Sequence, residues 1–233
     1  MLFHSHQNVN ASRGFCFSFL TLMIFIFIYP TTSTSAYIPN KVSQTTANTA
    51  TNWRMVRKAC LQLPILTCQF TPTANNTVEG RVQFQPVFRR YARNSRTRCI
   101  VRIKANVRNL STGLHGFHIH QYGDLRSNDG SSTAGHFPNP EGRPISHNLP
   151  NSNRRHWGDF GNLLANEIGE ATYNRVDRLI TIPGIVGRGM IVHALEDQGF
   201  EEQPSGAAGS RQSHCVIGFA NPALSQSTAF VNA

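Results

Sequence analysis

The sequence predicts an all-β domain, a sandwich or barrel of about eight short strands carrying two long loops. Three observations predict it. Arg98 to Arg108 alternates Cys99, Val101, Ile103, Ala105 and Val107 with mostly cationic neighbours, the period of two that places apolar groups on one face of a strand. Seven further short apolar runs are separated by Gly, Pro and Asn turns, and no stretch sustains a helical periodicity. The length of 233 residues suffices for a sizeable core, and 39 % hydrophobic against 15 % charged residues argues against wholesale disorder. The balance of 22 Lys+Arg against 12 Asp+Glu gives a net charge of +10.

The elements follow in order. Gly14 to Tyr29 is almost unbroken apolar sequence after Arg13, and its sixteen residues suit a signal-peptide core but fall short of a membrane span. It is the one long apolar run, so a multi-span membrane protein is excluded. Pro30 ends the run and Thr34-Ser35-Ala36 offers small residues for cleavage. Residues 1–36 are therefore read as a signal peptide and the protein as secreted, with a net charge of +9 and Cys60, Cys68, Cys99 and Cys215 remaining. Residues 37–60 are Thr-, Asn- and Ala-rich at first and read as a flexible lead-in. A domain over 61–222 follows, with a tail over 223–233. Besides Arg98–Arg108, the predicted strands are Ile65–Phe70, Val78–Phe84, Gly116–His120, Gly169–Asn174, Leu179–Ile182, Met190–His193 and Cys215–Ala220. Tyr122–Asn162 and Ala194–His214, rich in Gly, Pro, Ser, Asn and His, are predicted to be long loops ordered by a metal site. The sequons at Asn75 and Asn109 are glycan acceptors if the chain is secreted.

The histidines carry the chemistry. His118 and His120 stand two apart on a predicted strand, so both rings leave the same face. His136, His147, His156 and Asp159 follow in the first long loop, and His193 ends a strand. Imidazole-rich, thiolate-free sites suit copper or zinc, and a mixed His/Asp set suits zinc.

The stretch Gly113-Leu114-His115-Gly116-Phe117-His118-Ile119-His120-Gln121-Tyr122-Gly123-Asp124 closely resembles the copper-binding signature of Cu/Zn superoxide dismutases. Ala134-Gly135-His136-Phe137, His156-Trp157-Gly158-Asp159, Ile191-Val192-His193 and Gly209-Ser210-Arg211 follow in the family's order. The resemblance implies a Greek-key fold and dismutation of superoxide. It further implies copper on His118, His120, His136 and His193, and zinc on His136, His147, His156 and Asp159. His136 would bridge the two ions and take up a proton, Arg211 would bind the incoming anion, and Asp197 would bond one ligand of each ion.

The match departs from the family at two places. The family's disulfide joins a Cys in the first long loop to a Cys three residues after the active-site Arg. Here Gly123–Gly135 has no cysteine, and His214 takes the second position with Cys215 one residue later. A shift of one residue reverses the face of a strand, so that bridge is not expected. Cys215 can meet Cys68 or Cys99, or all three can be buried thiols, the reading favoured for Cys68 and Cys99. The second long loop, 17 residues between His193 and Arg211, lacks the family's guiding lysine.

Arg89, Arg90, Arg93, Arg96, Arg98, Arg102, Lys104 and Arg108 put eight cations and no acid into twenty residues. This is either a solvated strand face or a surface for sulfated glycans or anionic cell surfaces. Nucleic acid is not expected, for want of interleaved aromatic residues. A homodimer is allowed. The expected activity is superoxide dismutation. The competing expectation is a non-enzymatic extracellular metal-storage or matrix protein of the same fold.

Overall fold

Burial alternates along the strands and defines a single apolar interior in the computed structural model, which describes residues 49–91, 96–140, 142, 145–199 and 205–224. The signal segment 1–36, Arg93 and most of the 223–233 tail lie outside those residues. Leu66, Cys68 and Phe70 of β1 (Leu66–Pro72) face inward, as do Val82 and Phe84 of β2 (Glu79–Arg90) and Val101, Ile103, Ala105 and Val107 of β3 (Thr97–Arg108). They meet Phe117 and Ile119 of β4 (Gly113–Ile119), Phe160 and Leu163 of β5 (Asp159–Ala165), Met190 and Val192 of β7 (Gly189–His193), and Cys215 of β8 (Arg211–Val216). β6 (Ala171–Asp177) completes the wall, with Tyr173 packed against the core. Full burial of each large apolar side chain contributes about 1.5–3 kcal/mol.

The neighbour order is β2-β3-β6-β5-β4-β7-β8-β1, and β1 pairs back onto β2 through Leu66 and Phe84. The sandwich-or-barrel expectation thus resolves into a closed eight-strand antiparallel barrel, which leaves no long open edge. β9 (Gly218–Phe219) resumes beyond β8 and pairs with β1 at Leu66 and Thr67. The neighbours β3–β6 and β4–β7 require the crossing connections of a Greek key.

Four expectations are corrected. Leu179–Ile182 is not a strand: Asp177 Oδ1 accepts from the backbone N–H of Leu179 and Ile180, turning the chain into the short helix α2 (Ile182–Ile185) with Pro183 in its first turn. β5 lies partly inside the segment read as loop, because His156, Gly158 and Asp159 obscure its apolar run. Within the expected flexible lead-in, Thr49–Leu61 forms the helix α1. It packs on β2 and β3 and is joined to β3 by the Cys60–Cys99 disulfide. A second disulfide, Cys68–Cys215, ties β1 to β8, so neither Cys68 nor Cys99 is a free thiol. Both cysteines of that second pair face the interior and their Cα atoms are 5.7 Å apart, a normal bridging distance. No helix among the described residues is long and apolar enough to cross a membrane.

Candidate metal centre

Strand ends and two irregularities aim the imidazoles. His118 lies on β4, where the register with β5 shifts between Gly116 and His118; His193 ends β7, where the register with β8 shifts between Val192 and His193. Such bulges re-aim side chains beside active sites. His120 follows β4 and forms an isolated bridge with His136, which brings the first long loop to the barrel.

Three groups of donors result among the described residues, two made of the predicted ligands and a third of His118, His147 and Asp197. In the first, His118, His120, His136 and His193 each offer a ligand atom within 4.8 Å of the others; in the second, His136, His147, His156 and Asp159 do the same. His136 belongs to both, its ring centroid 4.0 Å from that of His118 and 5.0 Å from that of His147. All seven residues are at least largely buried, and His118 and Asp159 are fully so.

The tautomers follow from the hydrogen bonds. His120 Nδ1 donates to the Ala134 carbonyl at 2.7 Å, and His193 Nδ1 to the Gly209 carbonyl at 3.1 Å. His118 Nε2 donates to Asp197 Oδ2 at 2.9 Å. The remaining nitrogens, His120 Nε2, His193 Nε2 and His118 Nδ1, are buried without a partner, as is His136 Nε2. A buried polar atom left unpaired costs about 1–3 kcal/mol, which an ion bound to the four lone pairs would remove. The first set therefore fits a copper or a zinc ion, and the second, with its carboxylate, a zinc ion.

Electrostatics keep three donors of the first set neutral and hold a proton on His147 of the second, which a bound ion would displace. Burial, reinforced by neighbouring histidines, holds His136 down to about pKa 3 and pushes His120 and His193 well below the usual value, so all three are neutral donors. Burial opposes the charge of His147, but Asp159 and Asp197 outweigh it and raise its pKa to about 9. Asp159 and Asp197 resist burial through their histidine hydrogen bonds and stay well below the usual carboxylate range.

Asp197 joins the two sets. Its Oδ1 accepts from His147 Nε2 at 2.7 Å while Oδ2 holds His118. Two residues that sequence reasoning missed hold it there. Asn162 accepts from the Asp197 N–H at 2.7 Å and donates to its carbonyl at 2.9 Å. Gly206, at φ +61°, passes so close that a β-carbon would sit 2.0 Å from Asp197 Oδ1. A polar residue after the missed Phe160 strand and a glycine in a loop carry no distinctive sequence signal.

Arg211 stands half-buried at the start of β8, its guanidinium donating to the carbonyls of Gly130 and Ala134 and to Thr133 Oγ1. It lines an open groove of about 370 Å³ with Thr73, Asn76, Asp129, Ser131 and Ser210. His115 is not in either donor set: its Nδ1 meets the His193 carbonyl and its Nε2 the Ser111 carbonyl, each at 2.9 Å.

A family model described as copper/zinc superoxide dismutase (SODC) matches residues 78–217. The chain is similar to extracellular superoxide dismutase (Cu-Zn) 3 of Dictyostelium discoideum, 35 % identical over 181 residues, which is 76 % of this chain and 40 % of that protein. It is also similar to the extracellular superoxide dismutase (Cu-Zn) of Drosophila melanogaster, 39 % identical over 126 residues, which is 51 % of this chain and 67 % of that protein. The chain thus spans less than half the length of the first of these relatives and two thirds of the second.

Proposed function

The chain belongs to the copper/zinc superoxide dismutase family, and from that premise we infer that it dismutates superoxide outside the cell. The observation that carries this reading is the convergence of four buried, partnerless imidazole nitrogens on one point, with an arginine beside an open groove.

His118, His120, His136 and His193 would hold copper, and His136, His147, His156 and Asp159 zinc. Bound copper supplies a one-electron couple that divides the reaction of two superoxide ions and two protons, giving dioxygen and hydrogen peroxide, into two half-reactions; zinc has no such couple. Arg211 attracts and orients the anion, its charge fixed in place by the two carbonyls that it bonds. His136 holds one of the two protons at Nε2 and releases it toward departing peroxide, while its Nδ1 stays engaged with the second donor set. Asp197 keeps the rings of His118 and His147 in their tautomers. The charge of +9 that remains once residues 1–36 are removed would draw superoxide at long range, in place of a lysine in the second loop.

Secretion through residues 1–36 agrees with the extracellular relatives. Asn75 and Asn109 are both exposed and would accept glycans. A second copy of the chain would cover the exposed apolar side chains Val216 and Phe219 at the end of β8 and in β9, making a homodimer. The cationic segment Arg89–Arg108 would hold the protein on sulfated glycans or anionic cell surfaces.

The test is stopped-flow decay of superoxide with the copper- and zinc-loaded protein. Catalytic decay that falls in His118→Ala supports the reading. Full metal occupancy without turnover would overturn it in favour of metal storage.

A further inference from the structure

In this family a disulfide ties the first long loop to β8, and here neither of its positions holds a cysteine. The turn between β1 and β2 makes a connection of its own between the same two segments. Thr73 Oγ1 donates to the Arg211 carbonyl at 2.6 Å, and the Thr73 N–H donates to the Gln212 carbonyl at 3.0 Å. The next residue, Ala74, donates its N–H to the Asn128 carbonyl of the first long loop at 2.8 Å. Asn128 lies two residues before Gly130, whose carbonyl accepts from the Arg211 guanidinium. Two adjacent residues of one turn therefore hold the backbone on both sides of that contact.

The turn is built to keep Thr73 in place. Asn75 adopts φ 63°, which Asn tolerates better than most residues, and the Asn76 N–H closes the turn on the Thr73 carbonyl at 3.1 Å. The Asn76 side-chain amide donates to Thr73 Oγ1 at 2.8 Å and to the Ala74 carbonyl at 3.1 Å. The Thr73 hydroxyl thus accepts from Asn76 and donates to Arg211, and the residue is only 4 % exposed. A buried hydroxyl engaged in both senses is held in one orientation. Thr73, Ala74 and Asn76 also line the groove beside Arg211, so the turn is part of the wall that an entering anion passes.

We propose that Thr73 is a positioning residue for anion binding by Arg211. The carbonyls of Gly130 and Ala134 hold the guanidinium, the far end of the side chain. Thr73 holds the near end, the backbone from which that side chain extends, and Asn76 holds Thr73. The proposal deepens the superoxide reading and rests on Arg211 as the anion-binding cation.

Two substitutions separate the hydroxyl from the packing: Thr73→Val keeps the shape and removes the hydroxyl, whereas Thr73→Ser keeps the hydroxyl and removes the methyl group. Inorganic phosphate is titrated into the full chain loaded with zinc and followed by NMR at the Arg211 Nε–H. Superoxide decay is followed by stopped flow with the copper- and zinc-loaded protein. Thr73→Val should weaken phosphate binding and slow superoxide removal, each about 3- to 10-fold for the loss of one hydrogen bond. Thr73→Ser should stay close to the unsubstituted protein in both, and Asn76→Ala should act in the direction of Thr73→Val by a smaller factor. Thr71→Val, which removes a hydroxyl bonded to the His214 carbonyl, should change neither. Impaired Thr73→Ser beside intact Thr73→Val would mean that Thr73 acts by packing alone and would overturn the proposal. Phosphate binding equal in Thr73→Val and the unsubstituted protein would overturn it too. If the phosphate series holds while the loaded protein shows no turnover, the positioning role stands and the superoxide reading fails.

Discussion

His120 and Arg211 donate to the same oxygen, the carbonyl of Ala134, at 2.7 and 2.6 Å. A proposed copper ligand and the proposed anion-binding cation are thus set by one backbone atom. Ala134 itself adopts φ 60°, unusual for a residue with a side chain, and its neighbours hold it there.

Arg211→Ala should therefore slow superoxide removal while leaving copper and zinc content unchanged. The expected loss is about 10- to 100-fold, at the low end for an electrostatic donor because the guanidinium is half-exposed. Arg211→Lys should recover part of the rate, since it restores charge but not the paired hydrogen bonds. Stopped-flow kinetics with metal analysis checks both.

Gly130 sits between Arg211 and His214: a β-carbon there would lie 3.2 Å from Arg211 Cδ and 3.5 Å from His214 Nδ1, at φ +77°. His214, three residues after Arg211, occupies the side of this glycine where the family pattern would bring a cysteine. Gly130→Ala should lower stability by about 1–3 kcal/mol through the left-handed backbone and shift Arg211 by way of the Gly130 carbonyl. Denaturant unfolding and the superoxide rate should fall together.

Asp197→Asn should reduce zinc affinity about 10- to 100-fold, because it weakens the acceptor that fixes the donor nitrogen of His147. Gly206→Ala should act similarly, since its new methyl group would collide with Asp197 Oδ1 and with Nε2 of His147 itself. Competition against a zinc chelator measures both.

The metal-free protein should lose stability as pH falls from about 7 toward 5. His120, His136 and His193 have folded pKa values below the ordinary value of about 6.5, so the unfolded chain binds more protons in that window. His147 has the opposite sign: its contribution is complete below about 6.5 and is lost as pH rises through about 9. The depressed carboxylates Asp159 and Asp197 matter only at lower pH, near and below the unfolded carboxylate value. Three histidines outweigh one between pH 5 and 6.5, and metal loading should raise stability throughout. Thermal melts against pH follow this directly.

Cys68→Ser/Cys215→Ser should cost about 2–5 kcal/mol in both the metal-free and loaded forms, since this bridge closes the barrel between β1 and β8 rather than shaping a metal loop. Urea midpoints give the difference.

What the sequence made legible was set by periodicity and by residue chemistry. β3 was visible because cations and aliphatics alternate across twelve residues. The seven proposed metal ligands were visible because imidazoles cluster where regular structure fails, and the structure brings all of them into two donor sets. β5 was hidden because it begins at a ligand, Asp159, whose side chain obeys the metal site rather than the strand pattern. α1 was hidden because its stability comes from one-sided packing and a disulfide to a distant strand, neither of which appears in local composition. Asn162 and Gly206 act through contacts made only by the closed fold.

The central proposal is that two bound ions would have His136 in common. Anomalous diffraction from crystals of the loaded protein, recorded at the copper and zinc absorption edges, tests it most directly. Copper should appear among His118, His120, His136 and His193, and zinc among His136, His147, His156 and Asp159. A copper peak away from His118, His120 and His193, or two ions with no histidine in common, would contradict it.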